Sequence, residues 1–306
     1  MKTFKNAVRT RDFAVTAEIF LRPESVAGSI RQQADVLRDH VDAILLTDNQ
    51  FGQLHMSTLV AAGILLDSGI DAVVQMTSRN RNRIALVSDL LGAGALGVTS
   101  LLLVRGERAS DGFDPKPRAV LDVNAVELMR IAATVKSDPK LEHCPDFFVG
   151  GVITPQQPKA NWKAARLEEK IEAGAQFIQT HICMHTDLLR DFMKYLVQQG
   201  LLQRTSVIGA VAVLGSADDA RWLKANRPNV MIPDALVARL DNADDPREEG
   251  MQICVETLQA MADIPGIAGA SIMASRDLTT IPEIIRRAGL SGKAAAADDQ
   301  QLTTDD

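Results

Sequence analysis

The sequence contains little that would mark a secreted, membrane-bound or nucleic-acid-binding protein. Only three cysteines occur in 306 residues, and their wide spacing argues for a reducing compartment and against a disulfide framework. The formal net charge of −6 gives no general electrostatic support for binding nucleic acid or an anionic membrane. No run approaches the roughly 20 apolar residues of a membrane span, and the amino-terminal residues lack the apolar core of a signal peptide. We therefore expect a cytoplasmic protein.

Short apolar runs alternate with segments of helical spacing along most of the chain. The runs are rich in aliphatic and β-branched residues, as strands buried on both faces are, and they cover residues 13–20, 43–47, 72–76, 100–104, 147–153, 177–182, 206–213 and 268–274. The segments between them place apolar residues three and four positions apart, which is typical of helices that join parallel strands.

This alternation predicts an α/β fold, a (βα)8 TIM barrel that forms a single domain over residues 1–290. Residues 291–306 hold almost no large apolar side chain and are predicted to be disordered. The alternative is a doubly wound open sheet. No glycine-rich G-x-G-x-x-G turn follows any predicted strand, which favours the barrel.

Polar side chains gather where the first six predicted strands end, and this edge carries the active site in α/β barrels. Strands seven and eight end instead in aliphatic or sulfur side chains. A mouth that is polar on one side and apolar on the other suits a large flat ligand with charged appendages. The polar residues are Glu18, Thr47, Asp48, Gln75, Thr77, Arg105, Glu107, Thr154, Thr180 and His181.

Three arginines alternate just after the third predicted strand, at Arg79, Arg81 and Arg83. Cations at a helix start interact unfavourably with the helix dipole, and a bound phosphate or carboxylate would offset this interaction. A solvated helix start is the alternative interpretation. Residues 108–122 carry two prolines and a Gly-Phe-Asp turn, which predicts a long loop over the barrel mouth.

His181, Cys183 and His185 alternate in a way that invites a metal site. A strand advances about 3.3 Å per residue, so the two histidines would lie roughly 13 Å apart. One zinc ion binds its ligands at about 2 Å and cannot join both. We therefore predict no metal site, and we expect Cys183 and Cys254 to be core residues.

Taken together, these motifs resemble the methylenetetrahydrofolate reductase family, whose members are flavin-dependent (βα)8 barrels. The likeness is greatest to the short bacterial branch found in acetogens, and it extends over about residues 10–290. Its most specific parts are TAE at 16–18, VDAILLTDNQ at 41–50, the stretch from Gln75 through RNRIALVSDLLGAGALG to 97, RGE at 105–107 and EEKIEAGAQFIQTH at 168–181.

The resemblance implies that the flavin takes hydride from NADH or NADPH and reduces 5,10-methylenetetrahydrofolate to 5-methyltetrahydrofolate. It implies FAD rather than FMN as the bound cofactor. Glu18 matches the family's general acid, whose pKa burial would raise toward the working pH. The substrate-binding positions are Glu107, His181 and Gln75. The cofactor-binding positions are Thr47, Gln75, Arg105, Gly106, Thr154 and Lys170, of which Arg105 and Lys170 would meet the diphosphate or ribose.

At four positions this chain departs from the family pattern. Glu107 replaces an aspartate, His181 a glutamine, Thr154 a histidine or asparagine, and Lys163 an acidic residue. Because an imidazole can change charge between pH 5 and 8, His181 predicts pH-dependent ligand recognition near neutrality. Two alternatives follow, namely a diverged homologue that acts on another pterin or methyl-group carrier, and a non-catalytic partner subunit that binds folate or flavin. The sequence leaves open whether the protein is a homo-oligomer.

Overall fold

The computed structural model describes residues 3–10, 13–110, 112–141, 145–159, 162–227, 229–274 and 277–290. Eight parallel strands close into a barrel in chain order, with β8 pairing back to β1. The predicted disordered tail at 291–306 lies outside the described residues. The strands are β1 (Ala14–Glu18), β2 (Ala43–Leu46), β3 (Ala72–Thr77), β4 (Ser100–Val104), β5 (Phe148–Ile153), β6 (Phe177–Ile182), β7 (Ser206–Val213) and β8 (Ile267–Ala274).

Except for the first, the helices follow strands and cover the outside of the barrel, so the predicted (βα)8 fold is confirmed. None of the helices in the described ranges is long and apolar enough to cross a membrane. They are α1 (Phe4–Arg9), α2 (Ala27–Leu37), α3 (Thr58–Asp67), α4 (Arg83–Leu96), α5 (Ala125–Val135), α6 (Ala165–Glu172), α7 (Thr186–Gln198), α8 (Ala217–Asn226), α9 (Asp234–Asp241), α10 (Pro246–Ala262) and α11 (Thr280–Arg287).

The strand predictions agree closely with the structure. The bounds of β4, β6 and β7 are as predicted, and four of the other strands differ by one residue at one end. The first prediction, over residues 13–20, was too long, because β1 ends at Glu18. Apolar residues continue past that point, but the chain there turns from the sheet toward α2 and packs outside the barrel wall.

Helix α1 was not predicted, since six residues are too few to show a helical period. It closes the amino-terminal end of the barrel, where Phe4 lies edge-on to Phe177, with 5.2 Å between ring centroids. The backbone N–H of Phe4 donates to Oδ2 of the buried Asp71 at 2.7 Å. This end of the barrel is therefore filled with side chains, and the opposite end carries the mouth.

The predicted long loop lies between β4 and α5, and the described residues there form no helix or strand. Two sets of main-chain hydrogen bonds attach it to the barrel rim. Ser110 N–H donates to the Gly52 carbonyl at 2.9 Å, and Val120 N–H donates to the Arg79 carbonyl at 2.9 Å. Gly52 allows the close approach, because a Cβ there would lie 1.8 Å from the Arg108 carbonyl oxygen.

Candidate functional site

Three of the predicted site residues lie on the inner wall at the carboxyl ends of their strands. Side chains two or four positions apart along a strand point to the same side, and earlier residues of the same strands belong to the core inside the barrel. This alternation brings Glu18, Thr47 and Gln75 to the mouth; the inner-core residues that define it are Ala14, Leu45 and Val73. The register of β6 against β7 is irregular between Gln179 and Ile182, and His181 in this segment lines a cleft at the mouth.

Glu18 is the most deeply buried acid at the mouth, with 3% of its surface exposed. Burial raises the pKa of its carboxyl from 4.5 to about 7, although the Thr47 hydroxyl and the charge of Arg227 each lower the pKa in part. Oε1 of Glu18 has no hydrogen-bond partner in the described part of the chain. Thr47 Oγ1 is close enough to affect the carboxyl but makes no hydrogen bond of ordinary geometry. Near neutral pH this carboxyl can therefore hold a proton and donate it to a ligand.

Sequence reasoning missed Arg227, which lies in the mouth just beyond α8. Its guanidinium forms an ion pair with Glu107, on the segment after β4. It also lies over the ring of Phe51, 3.8 Å from the centroid, and Phe51 meets Trp222 of α8 edge-on at 5.1 Å. Since 120 residues separate Arg227 from Glu107, no local pattern could have signalled this pair. The arrangement holds Glu107, a predicted substrate contact, beside an aromatic face.

A cleft of about 520 Å³ opens beyond the ends of β5 and β6, and we call it the β5–β6 cleft. Three predicted site residues, Thr154, Lys170 and His181, line it, as does Lys163. The Lys170 ammonium donates to the Val152 carbonyl, and burial lowers the pKa of Lys170.

The structure overturns the prediction that His181 titrates near neutrality. Burial and, to a smaller extent, the positive charge of Lys170 lower the pKa of His181 from 6.5 to about 4. The imidazole is therefore neutral near neutral pH, and it presents one donor and one acceptor to a ligand in the β5–β6 cleft.

Arg105 and Gly106 follow β4 at the rim. The Arg105 side chain is exposed and is not among the residues that line the β5–β6 cleft. Gly106 has a φ of +85°, and a Cβ there would lie 2.7 Å from Cβ of Thr77. Only glycine fits this backbone without strain, so the chain can pass close to the end of β3.

The arginines that alternate after β3 do not share one role. Arg81 donates to the buried Asp48 at 2.6 Å and forms an ion pair with Asp89 at 3.0 Å. Asp48 also accepts from the N–H and the hydroxyl of Thr77, at 2.9 and 2.8 Å. Arg81 therefore neutralises the protein's own carboxylates, and the anion hypothesis does not apply to it. Arg79 lines a separate cleft beside the mouth.

The alternating residues after β6 have structural roles. Cys183 is buried in the outer core, and Cys254 is buried within α10. His185 lies at the start of α7, where its Nδ1 accepts from the Leu188 N–H at 3.3 Å. No group of three or more His, Cys, Asp or Glu side chains that could hold a metal ion occurs in the described ranges.

Comparison with known proteins supports the family resemblance. The family profile described as methylenetetrahydrofolate reductase matches residues 3–289. A Caenorhabditis elegans protein named probable methylenetetrahydrofolate reductase (NADPH) is 22% identical over 241 residues, which are 76% of this chain and 34% of that protein. The chain thus spans about a third of the length of this curated relative.

A solved structure shares the fold. It is an uncharacterized protein from Clostridium thermocellum, described as binding two copies of 5-methyl-5,6,7,8-tetrahydrofolic acid. The TM-score is 0.69 at 15% identity, over 93% of this chain and 97% of that one. At this identity the likeness supports the barrel alone, whereas the family profile covers nearly all of the chain. The protein belongs to the methylenetetrahydrofolate reductase family.

Proposed function

We propose that this protein reduces 5,10-methylenetetrahydrofolate to 5-methyltetrahydrofolate, with FAD as bound cofactor and NADH or NADPH as co-substrate. The observation that carries the proposal is Glu18, a buried carboxyl at the barrel mouth whose pKa is raised to about 7. An acid catalyst works best with a pKa near the operating pH. Membership of the family supports the substrate class.

The β5–β6 cleft fits the adenosine diphosphate half of FAD. Lys163, Arg166 and Lys170 line it, and no aspartate or glutamate in the described part of the chain does. Its volume of about 520 Å³ falls within the range of small-molecule sites. Lysine and arginine side chains stabilise phosphate oxygens through charge-assisted hydrogen bonds. When bound, the flavin would supply the chemistry of hydride transfer, taking hydride from the nicotinamide and passing it to the folate.

The chain's own residues would bind the folate and move one proton. Glu18 would donate its proton to a nitrogen of the five-membered folate ring, which favours ring opening and makes the one-carbon unit electrophilic. Glu107 and Gln75 would hydrogen-bond the pterin, and the neutral His181 would offer one donor and one acceptor. Burial of Glu18 excludes water from the carboxyl, so the proton passes to the ligand and not to solvent.

The test is Glu18→Gln, with each half-reaction followed by flavin absorbance under anaerobic conditions. Reduction by NADH or NADPH should keep its rate, because that step needs no acid. Reoxidation by methylenetetrahydrofolate should slow by about 10²–10⁴-fold, the usual contribution of general acid catalysis. Glu24→Gln, at an exposed carboxyl after β1, is the matched control. Equal rate losses in both half-reactions would show that Glu18 is not the general acid of folate reduction.

A second candidate is a diverged homologue that acts on another pterin or methyl-group carrier, or that binds folate or flavin as a partner subunit. The observation in its favour is the ion pair that holds Glu107 to Arg227, since this carboxylate is already engaged by the protein. The absorbance spectrum separates the two classes. A yellow protein bleached by NADH or NADPH and recoloured by methylenetetrahydrofolate supports the reductase. A colourless protein that cannot be reconstituted with flavin supports a binding role.

A further inference from the structure

A second cleft, of about 340 Å³, opens beside the mouth between the β3–α4 turn and the long loop after β4. We call it the arginine cleft. Four cationic side chains line it, and no aspartate or glutamate does among the described residues. None of the predicted site residues of the mouth belongs to it. The lining residues are Arg79, Asn80, Arg108, Ala109, Lys116, Pro117, Arg118 and Ala119.

Three of the four cations of this cleft have no carboxylate partner among the described residues. Arg79, Arg108 and Arg118 form no ion pair with a described residue. Arg81, two positions from Arg79, shows the contrast, because two carboxylates neutralise it. Gathering like charges in one cleft is electrostatically unfavourable, and in a chain of net charge −6 it is unexpected as a general surface property. The cleft therefore suits an anion.

The main chain fixes the shape of the cleft. The Arg79 carbonyl accepts from the N–H groups of Val120 and Leu121, at 2.9 and 3.2 Å. At the other end of the loop, Ser110 N–H donates to the Gly52 carbonyl at 2.9 Å. The loop that carries three of the four cations is thus attached at both ends. A preformed site loses less conformational entropy when its ligand binds.

The cations and their place in the fold favour phosphate. Three of the four are arginines, whose planar guanidinium donates two parallel hydrogen bonds to a phosphate. The cleft adjoins the mouth on the side of β3 and β4, whereas the β5–β6 cleft lies on the other side of β4 and has three cations of its own. The two dinucleotides of the proposed reaction each carry a diphosphate, and the fold offers two cationic clefts.

We propose that the arginine cleft binds the phosphate groups of the nicotinamide dinucleotide. The proposal rests on the proposed function for the identity of the co-substrate. It is independent of which folate is reduced. Arg79, Arg108 and Arg118 are then binding residues that set the affinity for NADH or NADPH, while the flavin phosphates occupy the β5–β6 cleft.

The direct test is binding of ADP-ribose, which carries the diphosphate but cannot transfer hydride. Titration calorimetry on the flavin-loaded protein compares wild type, Arg118→Gln and Arg108→Gln with Arg190→Gln, an exposed arginine on α7 that makes the same charge change. We expect each cleft variant to bind ADP-ribose about tenfold more weakly or worse, the usual loss for a charge-assisted contact, and the control to match wild type. Inorganic pyrophosphate should compete with ADP-ribose in wild type.

Kinetics give a second readout. In the cleft variants the apparent Kd for NADH or NADPH in flavin reduction should rise by the same factor, while the limiting rate and the flavin content stay unchanged. Failure of wild type to bind ADP-ribose, or equal affinity in all variants, would overturn the proposal. Loss of flavin from the cleft variants, with ADP-ribose affinity retained, would overturn it as well and assign the cleft to the cofactor.

The two proposals fail separately. Binding of ADP-ribose needs no turnover, so a protein that does not reduce methylenetetrahydrofolate can still bind ADP-ribose through these arginines. Conversely, normal folate reduction with unchanged ADP-ribose affinity in the cleft variants would refute the cleft assignment and leave the reductase intact.

Discussion

Replacing Glu18 by glutamine should change how the stability of this protein depends on pH. Burial raises the pKa of Glu18 from 4.5 to about 7. Because the pKa in the folded state lies above that of the unfolded chain, folding takes up a proton between these two values. The stability cost of the buried carboxylate is absent below about pH 4.5 and complete above about pH 7. Glutamine has no such ionisation, so the variant should be free of this cost.

The size of the effect follows from the pKa values. One pKa unit corresponds to about 1.4 kcal/mol, so the charged Glu18 should destabilise the fold by roughly 3 kcal/mol at pH 8 and by under about 1 kcal/mol at pH 5. For a chain of this length a change of that size moves Tm by about 5 °C. The Tm of Glu18→Gln minus that of wild type should therefore increase by roughly 4 °C between pH 5 and pH 8.

Thermal unfolding of both proteins across this pH range measures that difference. Any strain or unpaired amide that glutamine introduces shifts Tm equally at every pH, so the slope with pH is the informative quantity. Glu24→Gln, at an exposed carboxyl, should track wild type throughout. A Tm difference between Glu18→Gln and wild type that stays constant from pH 5 to pH 8 would refute the raised pKa, and with it the basis for Glu18 as an acid.

Three further substitutions test the fold around the site. Phe4→Ala should lower the free energy of unfolding by about 3–5 kcal/mol in urea denaturation, since Phe4 is 1% exposed. A loss below about 1 kcal/mol would show that α1 does not close the barrel. Arg81→Met should lower the free energy of unfolding by about 3–5 kcal/mol, because it leaves Asp48 buried without its cation. Adding Asp48→Asn to this variant should recover most of the lost stability. Gly106→Ala should lower the Tm of the protein more than Gly97→Ala does. Both glycines have a φ of +85°, but of the two only Gly106 has no room for a Cβ. Equal Tm values for the two variants would show that the close contact at Gly106 does not affect stability.

The barrel and much of its mouth were predictable from sequence because they depend on local patterns. Aliphatic runs such as Ser100–Val104 report burial on both faces, and their alternation with helical segments leaves few topologies. A residue at the end of such a run, as Glu18 and His181 are, is carried to the mouth by the parallel strands themselves. The pattern of period two also indicates that Glu18 points inward, whereas the register irregularity around His181 has no signal in the sequence.

The short helix α1 and the different roles of the arginines after β3 were not predictable in this way. Six residues cannot show a helical period, and α1 forms because the barrel interior receives Phe4. Arg79 and Arg81 look equivalent in sequence, yet Arg79 lines the arginine cleft without an ion pair to a described residue, and Arg81 pairs with Asp48. The difference arises from strands and loops that lie far away along the chain.

The sequence by itself determined the strand order, the position of Glu18 and the family to which the chain belongs, since each depends on residues close together in the chain. The tertiary structure alone decided the partners and the proton affinities of the charged groups. Arg227 reaches Glu107 across 120 residues, and His181 stays neutral because burial and Lys170 lower its pKa to about 4. Burial and charge act through space, so these properties exist only once the barrel has closed.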